Sequence, residues 1–150
     1  MRTRRSPMDV LAIVSIAVAL VGILVLPLME KEGGAGSVPG AVVIGQGPSC
    51  ADCSADAPEG VLLFLETAAV ALALVAALVF SFVGARWARV ARIAATGVAA
   101  IPLFRMPGTV ADSIRFADVR WGHTVALLAT MLALIASVLA AVITPSRSEA

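Results

Sequence analysis

Between Asp9 and Glu30 the chain runs for 20 residues, Val10 to Met29, without a charged side chain. At roughly 1.5 Å of rise per residue, a helix of that length reaches about 30 Å, the hydrocarbon thickness of a bilayer. This run places the chain in a membrane. The composition agrees: 60% of residues are hydrophobic and 14% charged, against roughly 45–50% and about 25% in soluble domains. A soluble fold of this length lacks the interior to hide so much apolar surface. The net charge is +1 and lysine occurs once, at Lys31, so no basic stripe suits a nucleic-acid duplex.

Further spans follow from the same reading. Residues 60–85 are interrupted only by Glu66, and Thr67 to Ala85 gives 19 uncharged residues. Residues 121–145 carry His123 as their one titratable group. The stretch between is marginal, because Ile93 to Phe104 provides only 12 uncharged residues, about 18 Å of helix. Started at Trp87 it becomes 87–104, long enough if Arg89 and Arg92 extend their guanidinium groups back to the headgroups while their stems stay in lipid. Trp87 and Trp121 then fall at opposite interfaces, where indole rings favour the headgroup level.

The expected fold is an all-α integral membrane protein, a four-transmembrane-helix bundle with spans at about 10–29, 60–85, 87–104 and 121–145 in one membrane domain. The alternative is three spans plus a re-entrant or interfacial helix. Loop charge favours the alternative: four spans leave seven basic residues inside against four outside, whereas three spans give nine against two. Four spans keep the Gly-, Ala- and Ile-rich run of 90–104 out of water, and that consideration decides the choice. Pro102 and Pro107 are expected to end the third span, and residues 109–119 to form a short interfacial helix.

The first span reads as an uncleaved anchor, since its apolar run exceeds a signal peptide's usual 7–15 residues and Leu26-Pro27-Leu28-Met29 is no small-residue cleavage site. Arg2, Arg4 and Arg5 set the N-terminus on the cytoplasmic side of a bacterial inner membrane, which leaves 30–59 as an outer loop. Six glycines and two prolines between residues 33 and 49 exclude a helix there, and leave Val42, Val43 and Ile44 to a short strand or to the membrane surface. Small-residue stripes at four-residue spacing supply close helix contacts: Ala69, Ala73 and Ala77; Ala91, Ala95 and Ala99; Ala129, Ala133, Ser137 and Ala141.

Two groups of residues could carry chemistry. Cys50 and Cys53 form a CxxC just before the second span, on the side where thiols become disulfides. Three readings stay open: a structural disulfide, a redox pair activated at a helix N-terminus, or half of a tetrahedral metal site whose other ligands are missing. The first is favoured, no metal is assigned, and Ser54 excludes haem attachment, which needs histidine there. The second group is a possible intramembrane polar cluster of Glu66, His123, Arg105 and Arg120. A carboxylate at membrane depth needs a partner or a wet cavity, and four spans bring these residues to one end of the bundle.

No phosphate loop, dinucleotide fingerprint, HExxH or nucleophile set occurs. Self-contained catalysis is not expected, and no cofactor is assigned. The expected role is a non-catalytic accessory or structural subunit of a larger membrane complex, with the lipid bilayer and other membrane subunits or further copies as partners. The alternative is a membrane thiol–disulfide or quinone-linked redox protein using Cys50 and Cys53.

Overall fold

The computed structural model describes residues 6–30, 37–47, 57–83, 86–113 and 121–143. In chain order the elements are α1 (Pro7–Leu24), β1 (Pro27–Glu30), β2 (Ser37–Pro39), α2 (Gly40–Gln46), α3 (Ala57–Phe82), α4 (Arg86–Ser113) and α5 (Trp121–Ile143). Four helices are long and apolar enough to cross a membrane, over Pro7–Leu24, Val61–Phe82, Trp87–Arg105 and Gly122–Ile143. The chain is an all-α, multi-pass four-helix bundle, and the three-span alternative falls.

Local chemistry sets the boundaries. Ser6 caps α1: its hydroxyl accepts from the Asp9 N–H at 3.1 Å and donates to the Asp9 carboxylate at 2.8 Å, and Pro7 takes the first helical position, where no N–H is needed. The other end closes with the Val25 and Leu26 N–H groups on the Val21 carbonyl, just before Pro27. The tight link from α3 to α4 is braced by Phe80 and Trp87, whose rings meet edge to face with centroids 5.7 Å apart.

α1 packs most extensively on α5, α3 on α4, and the pairs α4–α5 and α1–α3 complete a ring. Each helix is antiparallel to its two neighbours, so α1 and α4 stand on a diagonal. The core holds Ile16, Val70, Leu74 and Leu103 among alanines, while Val18, Leu72, Val90 and Leu128 face outward. An apolar exterior is the expected surface in lipid, where leucine burial gives no drive and close backbone approach must.

That approach is concentrated between α1 and α5. A Cβ placed on Gly122 would lie 2.7 Å from the carbonyl oxygens of Gly22 and Pro27, and one on Gly22 would lie 2.8 Å from the Ala126 nitrogen. Only glycine fits either position. The alanine stripes are used unevenly. On α5 Ala129, Ala133 and Ser137 are buried and Ala141 is exposed. On α3 only Ala77 is fully inside, Ala73 is half-buried and Ala69 faces out. On α4 the expected stripe is used at one end: Ala99 is fully buried and Ala91 and Ala95 are half-buried, while Ala88, Arg92, Thr96 and Ala100 beside them also turn inward.

The glycine-rich loop departs from expectation. β1 and β2 pair antiparallel, Met29 opposite Val38 and Glu30 opposite Ser37, and residues 40–46 are helical where six glycines argued against a helix. The reason is tertiary. Val43 is fully buried against Val38 and Leu63, and Gly40 lets the start of α2 approach the end of α1, where a Cβ would strike the Ile23 carbonyl. Gly47 then closes α2 with φ of 71°, a left-handed conformation that glycine adopts without strain.

Candidate functional site

The titratable side chains inside the bundle lie toward its two ends. At the end where α1 begins, Arg92 is buried within α4. Its Nη2 donates to Asp9 Oδ1 at 2.9 Å, and the two side chains are 4% and 16% exposed. Because α1 and α4 are diagonal neighbours, the guanidinium crosses the bundle interior. This corrects the expectation that Arg92 reaches back to the headgroups. A carboxylate at the same depth offers a charge-assisted hydrogen bond, which repays desolvation better than a long reach to the interface. Arg89, one turn nearer the end of the helix, is exposed, and its charge acts on Asp9 as well. Thr96 bonds back to the Arg92 carbonyl at 2.8 Å.

At the other end lie the residues singled out in the sequence. Glu66 is 9% exposed on α3, and Arg105, exposed at the far end of the third span, acts on it through its charge. His123 is buried at the start of α5, and its Nε2 lies 2.7 Å from the Leu103 carbonyl oxygen. A carbonyl only accepts, so Nε2 carries the proton. Arg120, Cys50 and Cys53 lie outside the described residues; of the interfacial helix expected at 109–119, residues 109–113 are the end of α4 instead, and 114–119 lie outside the described residues.

The His123 bond has a cause in the sequence. In an α-helix the Leu103 carbonyl would accept from the N–H of residue 107, and residue 107 is proline, which has none. The two prolines were expected to end the span, yet α4 continues through both to Ser113. Proline is tolerated in a membrane helix where a neighbour satisfies the freed backbone group, and for Leu103 that neighbour is His123.

A double-mutant cycle tests this assignment. His123→Ala is expected to cost about 1–3 kcal/mol of stability, the range for stranding a buried acceptor. In a Pro107→Ala background, which restores an N–H at position 107, the cost shrinks. Thermal unfolding of the four proteins in one mild detergent measures the coupling, and strict additivity would refute the assignment.

Four further buried polar atoms find no partner among the described residues: Thr67 Oγ1, Arg92 Nε, Thr130 Oγ1 and Ser137 Oγ. Three buried polar residues of α5, His123, Thr130 and Ser137, recur every seven positions. That period is present in the sequence, one polar residue on the same helical face every two turns. The Asp9–Arg92 pair is not legible in the sequence, because the two residues are far apart in the chain and only the diagonal packing brings them together.

Among the described residues no group of three His, Cys, Asp or Glu side chains is placed to hold a metal ion. The geometry therefore offers one interior ion pair, one acid near an arginine, one histidine bonded to backbone, and a line of hydroxyls. No protein-family model, curated protein or solved structure matches the chain.

Proposed function

We propose that this chain is a non-catalytic accessory or structural subunit of a larger membrane complex, set in a bacterial cytoplasmic membrane with its N-terminus inside. The observation that carries the reading is Gly97. It lies within the third span, and a Cβ built on it would meet nothing within 4 Å. Glycine lowers helix stability by roughly 0.5–1 kcal/mol relative to alanine, and the bundle's own packing does not require it here. A small residue on an outward membrane-helix face lets another helix approach closely. Ala94, one turn away, is exposed beside it.

The polar interior supports the same reading. Its charged groups are engaged within the chain, Arg92 with Asp9 and Glu66 under the charge of Arg105, which is the work of holding a bundle together.

Gentle extraction of the chain at native expression, followed by native mass spectrometry, is expected to recover it with at least one other membrane subunit. Gly97→Leu is expected to shed that subunit without lowering the melting temperature of the chain itself. Recovery of wild type only as a free monomer would overturn the reading. The orientation is read from Arg86, Arg89 and Arg92, in the part of α4 that lies at the end where α1 begins, and from Arg2, Arg4 and Arg5, which precede α1 in sequence. In a chain whose native cysteines are replaced by serine, Ser113→Cys should react with an impermeant maleimide in intact spheroplasts, and labelling only after lysis would reverse the orientation.

A further inference from the structure

Pro102 does to the Val98 carbonyl what Pro107 does to that of Leu103. In an α-helix the Val98 carbonyl would accept from the N–H of residue 102, and proline has none. α4 nevertheless continues past it. For Leu103 the donor comes from His123 on α5. Among the described residues no side chain makes the corresponding bond to Val98.

Its location limits what can stand in for that donor. Val98 lies inside the third span, about 10 Å of helix from Arg105 and about 16 Å from Trp87, so its carbonyl is at hydrocarbon depth, away from headgroups and water. Val98 is 55% exposed and Pro102 half-buried, which puts this stretch of backbone on the outward side of α4. Acyl chains donate no hydrogen bond, and a bare backbone carbonyl among them is costly. At about 100° per residue, Ala94 and Ile101 fall between Gly97 and Val98 around the helix, and both are exposed. A second helix laid along Ala94 and Ile101 therefore has the bare Gly97 on one flank and Val98 on the other.

Building on the accessory-subunit reading, we propose that the helix seated on this face belongs to a different chain and carries a serine or threonine whose hydroxyl donates to the Val98 carbonyl. A hydroxyl is compact enough to sit where Gly97 and Ala94 let two backbones approach, and serine and threonine are enriched at such contacts. A second copy does not supply the donor through α4. From Val90 to Phe104 the exposed residues of that helix are Val90, Ala94, Val98, Ile101 and Phe104, none with a donor, so two α4 helices face to face leave both carbonyls bare.

The test titrates the full chain in liposomes with synthetic leucine–alanine transmembrane helices, read by fluorescence energy transfer. Each helix carries one threonine, at its centre or one turn to either side, and is compared with its valine isostere. Wild type is expected to bind one threonine helix about threefold more tightly than its valine counterpart, the average effect of a hydrogen bond between membrane helices, about 0.6 kcal/mol. Pro102→Ala, which restores an N–H at position 102, is expected to erase the preference, and Pro107→Ala to keep it. Equal affinities of wild type within every threonine–valine pair, a comparison that needs no variant to fold, overturn the proposal, as does a preference that survives Pro102→Ala. In native mass spectrometry, a subunit recovered equally with wild type and Pro102→Ala, or a second copy in place of a different chain, overturns the hydroxyl contact and leaves the accessory-subunit reading standing. Wild type recovered only as a free monomer removes that reading as well.

Discussion

Replacing Arg92 with methionine is expected to cost the bundle about 3–5 kcal/mol, the range for removing one partner of a buried ion pair. The Asp9 carboxylate would be left inside the bundle with its strongest donor gone, since Arg92 Nη2 at 2.9 Å is the contact that crosses the interior to meet it. Arg89 acts on Asp9 through its charge from an exposed position, where solvent and headgroups screen it. Asp9→Asn alone has a related effect, because it strands the guanidinium. The double variant Asp9→Asn with Arg92→Met is expected to recover most of the loss, since removing both charges abolishes the desolvation penalty together with the attraction. Circular dichroism melts of the four proteins in one detergent decide it. A single Arg92→Met variant as stable as wild type would mean that the diagonal contact contributes nothing.

The second large effect belongs to Gly122. A methyl group there would lie 2.7 Å from two backbone carbonyl oxygens, those of Gly22 and Pro27, and 2.9 Å from that of Leu26. Backbone cannot rotate away as a flexible side chain can, so α1 and α5 must separate, and overpacking of this kind typically costs about 1–3 kcal/mol. Separation also forfeits the close approach that substitutes for hydrophobic drive between membrane helices. Gly122→Ala is therefore expected to lower the melting temperature markedly, and Gly22→Ala to do the same against the Ala126 nitrogen. Gly45→Ala and Gly97→Ala, whose added methyl groups meet nothing within 4 Å, serve as controls and should be neutral or slightly stabilising. If Gly122→Ala melts with the controls, the α1–α5 contact is looser than described.

These two predictions fall on residues that the sequence presents very differently. Gly122 opens a span and is one of 12 glycines, and nothing local distinguishes it from Gly97. A glycine's role depends on what stands opposite, and only the packing of α1 on α5 supplies the carbonyl oxygens that exclude a side chain. Arg92 reads as a headgroup-seeking residue because single-helix reasoning compares burial with reach to the interface. The alternative, a carboxylate across the bundle, exists only once α1 and α4 are diagonal.

The sequence by itself determined the fold class, the four spans and the polarity of their surfaces. Those follow from how many consecutive uncharged residues a bilayer-crossing helix needs, and that is a one-dimensional count. It also carries the seven-residue period of His123, Thr130 and Ser137 and the proline at position 107 that frees the Leu103 carbonyl. Tertiary structure alone decided that α4 continues past Pro107 with the Leu103 carbonyl satisfied, because the donor comes from another helix. It likewise decided that residues 40–46 are helical, because burial of Val43 against Val38 and Leu63 outweighs the low helix propensity of a glycine-rich segment. Partners across a bundle are set by which helices adjoin and in what register, and in lipid the hydrophobic pattern carries little of that information, since both sides of each helix are apolar.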